Sequence, residues 1–142
     1  MKRTVTTLIA AMIMTMSFSS FASSTANPLK NLNSARILST YVEAITLGNT
    51  DFNKHLFADD FEYRNSSNND KFNKKQYTDF LKANKGLQYN CETTHEIMDE
   101  SGTACVAKAI MKFEKFTRID YITLNHCEDG WKVSKVVTTY SK

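Results

Sequence analysis

The sequence predicts an α+β fold in which three helices pack on a strongly curved antiparallel sheet. Two observations carry that prediction. Apolar residues recur at helical spacing as far as Gly86, and from Leu87 onward the period changes to strict alternation. Near the end, Asp129-Gly130 is a strong hairpin signal between two apolar runs, with Trp131 directly after the glycine. Helices first and antiparallel strands after imply a layered α+β domain. A sheet with one apolar face would wrap around the first helix while the helices close one end. The result is a cone with a cavity where sheet and helices fail to meet.

Not all of the 142 residues belong to that domain. Lys2 and Arg3, the uncharged run Leu8 to Met16 and the small-residue stretch Ser17 to Ser24 follow the pattern of a secretory signal peptide, residues 1–22. The apolar run is shorter than the roughly 20 residues a membrane span requires. Cleavage there predicts a periplasmic or secreted protein with no membrane attachment. It also changes the charge. Losing Lys2 and Arg3 takes the 18 basic residues to 16 against 15 acidic ones, so the formal charge drops from +3 to +1. A near-neutral domain offers no electrostatic case for nucleic acid. Lys71, Lys74, Lys75, Lys82 and Lys85 are most simply the solvated face of a helix. Residues 23–33, polar and holding the one proline, Pro28, read as a flexible leader, and residues 34–142 as a single domain.

The elements follow in order. Ser34 is a helix cap with Leu32 as a staple, and Ile37, Leu38, Tyr41, Val42 and Ile45 make one apolar stripe that stops at Gly48. Thr50 or Asp51 opens a short second helix carrying Phe52, Leu56 and Phe57, closed by Asp59-Asp60. Phe61 to Arg64 alternates as a short strand, and 65–70 is a polar loop. Asn73 with Gln76 forms a capping-box pattern for a third helix whose apolar side is Tyr77, Phe80 and Leu81, ending at Gly86. Leu87 to Ile97 is a half-buried strand and 99–102 a turn. Thr103 to Phe113, Phe116 to Cys127 and Trp131 to Tyr140 are the remaining strands.

This order, with Leu56-Phe57-Ala58-Asp59-Asp60-Phe61-Glu62-Tyr63 after the second helix and the hairpin from Asp120 to Val137 at the end, resembles the nuclear-transport-factor-2-like superfamily. Within it the chain is similar to small bacterial proteins described as putative lumazine-binding, which end in an Asp-Tyr-Leu-x-Leu … Asp-Gly-x-Trp-Lys pattern. Here Trp131 follows Gly130 with no residue between. The resemblance covers about Ser34 to Tyr140 and implies the cone-shaped fold and a homodimer formed through the sheet. The superfold hosts isomerases, dehydratases, hydrolases, binding modules and dimerisation domains, so it implies no single activity.

Few residues could carry chemistry. Parity places His95 with Leu87, Tyr89 and Cys91, on the face toward the cavity, where an imidazole could act as a general base or fix a polar ligand group. Equally it could be a partly solvated strand-end histidine. Asp120 is the partner to test. A carboxylate in an apolar cone would have a raised pKa and could shuttle protons, as in ketosteroid isomerases of this superfold. Its direction depends on the turn near Glu114-Lys115. A two-residue turn puts Asp120 on the face of Ile122 and Leu124, and a three-residue turn puts Tyr121 there instead.

Tyr41, Tyr63, Tyr89, Phe113, Tyr121 and Trp131 could line a pocket by stacking or could be plain core. Asp59 and Asp60 are discounted as an acid/base pair because aspartates are common at helix ends. Lys108 is unusual in a central strand, although its stem can lie on apolar surface. Cys105 and Cys127 sit equidistant from Phe116 on neighbouring strands, and a disulfide between them would leave Cys91 free or paired between subunits. No metal-site spacing, phosphate loop or nucleophile elbow occurs, and no cofactor is indicated.

Together these readings predict an exported domain binding a small apolar or aromatic ligand in the cone. The alternatives are an isomerase or dehydratase working through His95 and Asp120, which would have to converge across one cavity, and a dimerisation scaffold filled by its own side chains.

Overall fold

A computed structural model describes residues 26–142. The expected signal peptide lies outside the described residues. Of the expected leader, the part from Ala26 onward is docked rather than loose, which corrects that expectation for these residues. Residues 28–31 form a turn, Leu29 is buried in the core, and the Asn27 side-chain amide donates to the Asp129 carbonyl at 2.8 Å. Gly130 makes the close approach possible. Its φ is +97°, and a Cβ there would lie 2.5 Å from the Lys30 carbonyl oxygen.

Helix α1 (Ser34–Thr46) is capped by Asn33, not Ser34: the Asn33 side-chain oxygen accepts the Arg36 amide at 2.9 Å. The Ser34 hydroxyl instead donates to Glu100 at 3.0 Å. The stripe Ile37, Leu38, Tyr41, Val42 and Ile45 is buried throughout. The helix stops before Gly48, whose φ is +65° and whose missing Cβ leaves room for the backbone of Gly86 and Leu87. Helix α2 (Asn53–Leu56) is only four residues long, and the chain passes directly into β1 (Phe57–Asn65). Asp59 and Asp60 therefore do not end a helix. They stand exposed in the irregular start of β1, before steady pairing resumes at Glu62. A three-residue strand β2 (Lys71–Asn73), unseen in the sequence, pairs back on β1. Asn73 and Gln76 form the reciprocal capping box that starts α3 (Lys74–Ala83).

The remaining strands are β3 (Glu92–Ser101), β4 (Ala104–Lys112), β5 (Thr117–Cys127) and β6 (Gly130–Ser141). β3 starts five residues later than the alternation suggests, because residues 87–91 form the connection from α3. The six strands lie in the order β2-β1-β6-β5-β4-β3. Every pairing is antiparallel except β1 with β6, which is parallel, so the sheet is mixed rather than purely antiparallel. Extra residues at Met98 and Ser134 break the register and bend their strands. The curved sheet holds the helices on its concave face, with α1 over β3, β4 and β6 and α3 over β1 and β2.

The expected Cys105–Cys127 disulfide does not form: both are free thiols, as is Cys91. The Phe113 amide donates to the Phe116 carbonyl, so the hairpin turns on Glu114-Lys115 and places Cys105 opposite Leu124. Cys127 lies three residues further along, beyond the separation that a disulfide can span.

Candidate functional site: a buried carboxylate cluster on the concave face

The two-residue turn at Glu114-Lys115 fixes which way β5 faces. Arg118, Asp120, Ile122 and Leu124 point inward, and Tyr121 points out. Asp120 is completely buried, and each carboxylate oxygen accepts two hydrogen bonds. Oδ1 receives Arg118 Nε at 2.9 Å and the Thr138 hydroxyl at 2.7 Å. Oδ2 receives Arg118 Nη2 at 3.0 Å and the Tyr41 hydroxyl at 2.8 Å. Four bonds saturate the acceptor capacity of a carboxylate. Asp120 thus sits in a fully donated cage rather than in the apolar cone the sequence suggested, and no lone pair remains to take a proton from a substrate.

The cage also sets the state of its donors. Burial opposes the Arg118 charge, but Asp120, with the Tyr77 and Tyr41 oxygens behind it, outweighs that effect and holds the guanidinium well above its ordinary pKa. Burial first, and the nearby carboxylate second, push the Tyr41 phenol far up, so it stays a donor. Burial does the same for Tyr77. A buried ion pair adds little net stability of its own, yet losing either partner strands a charge in the core.

Aromatic rings cover one side of this cage. Tyr77 of α3 stacks on Tyr63 (4.7 Å between centroids, planes 16° apart) and leans on Phe61 at 5.2 Å. Its edge contact with Phe57 is at 5.6 Å. The Tyr77 hydroxyl is 3.5 Å from that of Tyr41.

The other sequence candidates fall in separate places. His95, Ala109, Asp120 and Thr138 form one cross-strand row, so His95 shares the concave face with Asp120. Two strand spacings separate them, about 10 Å. His95 is exposed at the sheet edge, with its Nε2 3.2 Å from the Ser39 hydroxyl. The structure does not bring the two together.

Tyr41 and Tyr63 belong to the cluster. Tyr89 and Phe113 meet at 5.8 Å near the far end of the sheet, where Phe113 stacks on Phe116. Tyr121 lies on the convex face with the Lys108 ammonium 5.8 Å above its ring, which also accounts for Lys108 in a central strand. Trp131 is buried at the opposite end, edge-on to His126. Arg118, Tyr77 and Thr138 complete the cluster, although in the sequence Tyr77 reads only as the apolar side of a helix and the other two carry no site signal of their own. Arg118 was findable, since a residue two positions before Asp120 on a strand must share its face.

A cleft of about 620 Å³ between α2 and the start of α3 is lined by Lys54, Asp59, Asn73, Lys74, Lys75 and Thr78 and lies apart from this cluster. Among the described residues no group of His, Cys, Asp and Glu could hold a metal ion, and no helix is long and apolar enough to cross a membrane.

The architecture matches solved nuclear-transport-factor-2-like proteins. One of unknown function from Silicibacter pomeroyi is 12% identical with a TM-score of 0.63, covering 75% of this chain and 92% of that one. Another of unknown function, from Methylobacillus flagellatus, is 19% identical with a TM-score of 0.61, covering 76% and 89%. A ketosteroid isomerase-like protein from Erwinia carotovora is 9% identical with a TM-score of 0.61, covering 76% and 93%. At such identities the likeness establishes the fold alone. A comparison with curated proteins finds no match. A family model described as putative lumazine-binding matches residues 34–141, and the chain, which has the nuclear-transport-factor-2-like fold, therefore belongs to that family.

Proposed function

We propose that this protein is an exported binding module for a small, flat, partly aromatic molecule held on the concave face of the sheet. One observation carries the reading: the Tyr41–Asp120–Arg118 cage stands next to a wall of stacked rings, so a polar anchor and an aromatic surface adjoin. Binding sites commonly combine an apolar lining with a few fixed polar groups. The family's description names a pteridine-like ligand class, which suits those walls. The separation of His95 from Asp120, and the saturated carboxylate, favour binding over proton transfer.

Two further parts belong to the proposal. Export rests on the pattern of residues 1–22. A homodimer through the convex face is supported by Val106, Ile110, Ile119, Tyr121 and Val137, with Val106 and Tyr121 both exposed although apolar or aromatic.

Native mass spectrometry of the protein from its host's exported fraction tests all three parts together. The expected result is a chain starting near Ser23, a dimer, and a stoichiometric adduct. Titration of the apo protein with lumazine, followed by its fluorescence, is expected to saturate at one per chain. A clean apo mass together with no lumazine saturation would sink the binding reading and leave the self-filled scaffold. A monomer, or an uncleaved N terminus, would remove the dimer or the export part separately.

A further inference from the structure

Helix α3 is held through two buried side chains, an exposed tie from Lys74 to the Lys54 carbonyl and Asp59, and backbone bonds from Gly86 to Gly48 and from Tyr89 to Thr46 behind it. Only Tyr77 and Leu81 of its ten residues are buried, and the elements it packs on are β1 and β2, at the edge of the sheet. β2 is itself held by three register positions on β1. The chain on either side, residues 66–71 and 85–88, is exposed throughout. Few buried contacts and exposed flanks are the properties of a segment that opens locally without global unfolding.

The core residue that α3 inserts, Tyr77, also has the shape of a flat aromatic ligand with a polar edge. Tyr77 presents a flat ring parallel to Tyr63, tilted on Phe61 and edge-on to Phe57. It turns its oxygen toward the Tyr41 hydroxyl, which is bonded to Asp120. The tie at that polar end is weak, because 3.5 Å is the outer limit of a hydrogen bond. The bonds to Asp120 use Nε and Nη2 of Arg118, so Nη1 stands outside that pair.

We propose that the slot filled by Tyr77 is the ligand site itself, and that α3 is a lid which withdraws its tyrosine when a planar aromatic molecule bearing a hydroxyl or ring N–H enters. The inference rests on the binding reading above and adds self-occupancy to it. The class follows from the walls: stacked rings select a flat π-system, and the Tyr41 hydroxyl beside Asp120 and Arg118 selects a polar edge. Because the protein's own side chain occupies the site, apparent affinity falls by the fraction of molecules with the lid open.

The test uses the full chain and p-cresol, the free form of the displaced side chain, with amide hydrogen exchange as the readout. In the unliganded protein the amides of α3 are expected to exchange at least about tenfold faster than those of α1. Added p-cresol is expected to speed α3 further, because it competes with Tyr77 for the slot. Any cavity left by a buried tyrosine would take p-cresol, so the wild-type exchange decides the matter.

As a second readout, Tyr77→Ala is expected to bind lumazine about tenfold more tightly than wild type, with Tyr77→Leu as the milder variant should alanine prevent folding. Exchange of α3 in step with α1, or slowed by p-cresol, overturns the lid. Lumazine binding equally well or less well in both variants makes Tyr77 a wall and removes the plug while keeping the binding reading. Lumazine binding to no form, with p-cresol still opening α3, removes the pteridine and keeps the slot.

Discussion

Helices α1 and α3 lie on the same concave face, and they are built for different tasks. α1 buries eight of its thirteen residues, and one of them, Tyr41, bonds the carboxylate at the centre of the sheet. α3 buries two of ten and rests on the sheet's edge. Both are amphipathic, both are capped by an asparagine, and each carries a tyrosine near its middle. The difference lies in the width of the apolar face and in what stands opposite it. A broad stripe over β3, β4 and β6 belongs to the cooperative core, whereas two buried residues over an edge pair make a clasp.

The largest expected effect sits under α1. Replacing Asp120 by alanine leaves Arg118 buried without its partner and is expected to cost about 3–5 kcal/mol in urea denaturation. The double change Asp120→Leu with Arg118→Met should recover only part of that, since it removes the stranded charge but leaves the Tyr41 and Thr138 hydroxyls without their acceptor. A single-site loss under roughly 1 kcal/mol would mean the pair is not buried as described.

A matched pair of truncations sharpens the comparison. Ile37→Ala in α1 should fall in the upper part of the about 2–5 kcal/mol range for large-to-alanine changes, and Leu81→Ala in α3 in the lower part. α3 has exposed flanks and can settle into the void, whereas α1 is pinned along its length. Equal losses would break the distinction between core and clasp.

The smallest effect is one of pH. Tyr41 and Tyr77 have raised pKa values, both chiefly through burial. Below about pH 10 the phenols are protonated in folded and unfolded chains alike, and the stability is fully present. Above that, the unfolded chain gives up protons that the folded one keeps, so stability falls as pH rises. The limiting slope is about 1.4 kcal/mol per pH unit for each tyrosine. Thermal melts of wild type, Tyr41→Phe and Tyr77→Phe between pH 8 and 11 should show the larger loss of slope in Tyr41→Phe, because local opening of α3 gives Tyr77 an escape. Identical slopes in all three would exclude these phenols as the cause.

Local signals in the chain proved most legible where one interaction decided the outcome. Asn73 and Gln76 form their reciprocal cap because both partners lie within one turn. The last hairpin turns on Glu128-Asp129, one residue before the expected pair, and Gly130, paired with Cys127 at the start of β6, takes the positive φ that lets the chain leave the turn. The helix cap at Asn33 was missed by one residue, since Asn33 and Ser34 are both good caps and only the long-range bond from Ser34 to Glu100 separates them. β2 was missed because three polar-flanked residues have no period to detect. The disulfide failed on register, which a two-residue turn displaced by three positions.

The sequence by itself determined the α+β order, the apolar faces, the last hairpin and the family. These follow from periodicity and turn chemistry, which act over a few residues. Tertiary structure alone decided that Asp120 would be caged by Arg118, Tyr41 and Thr138, that His95 would stand two strands away, and that Tyr77 would fill the ring-lined slot. Those facts depend on strand order, on register and on which helix covers which strand. They are settled only when distant segments pack together and every buried polar group must find a partner.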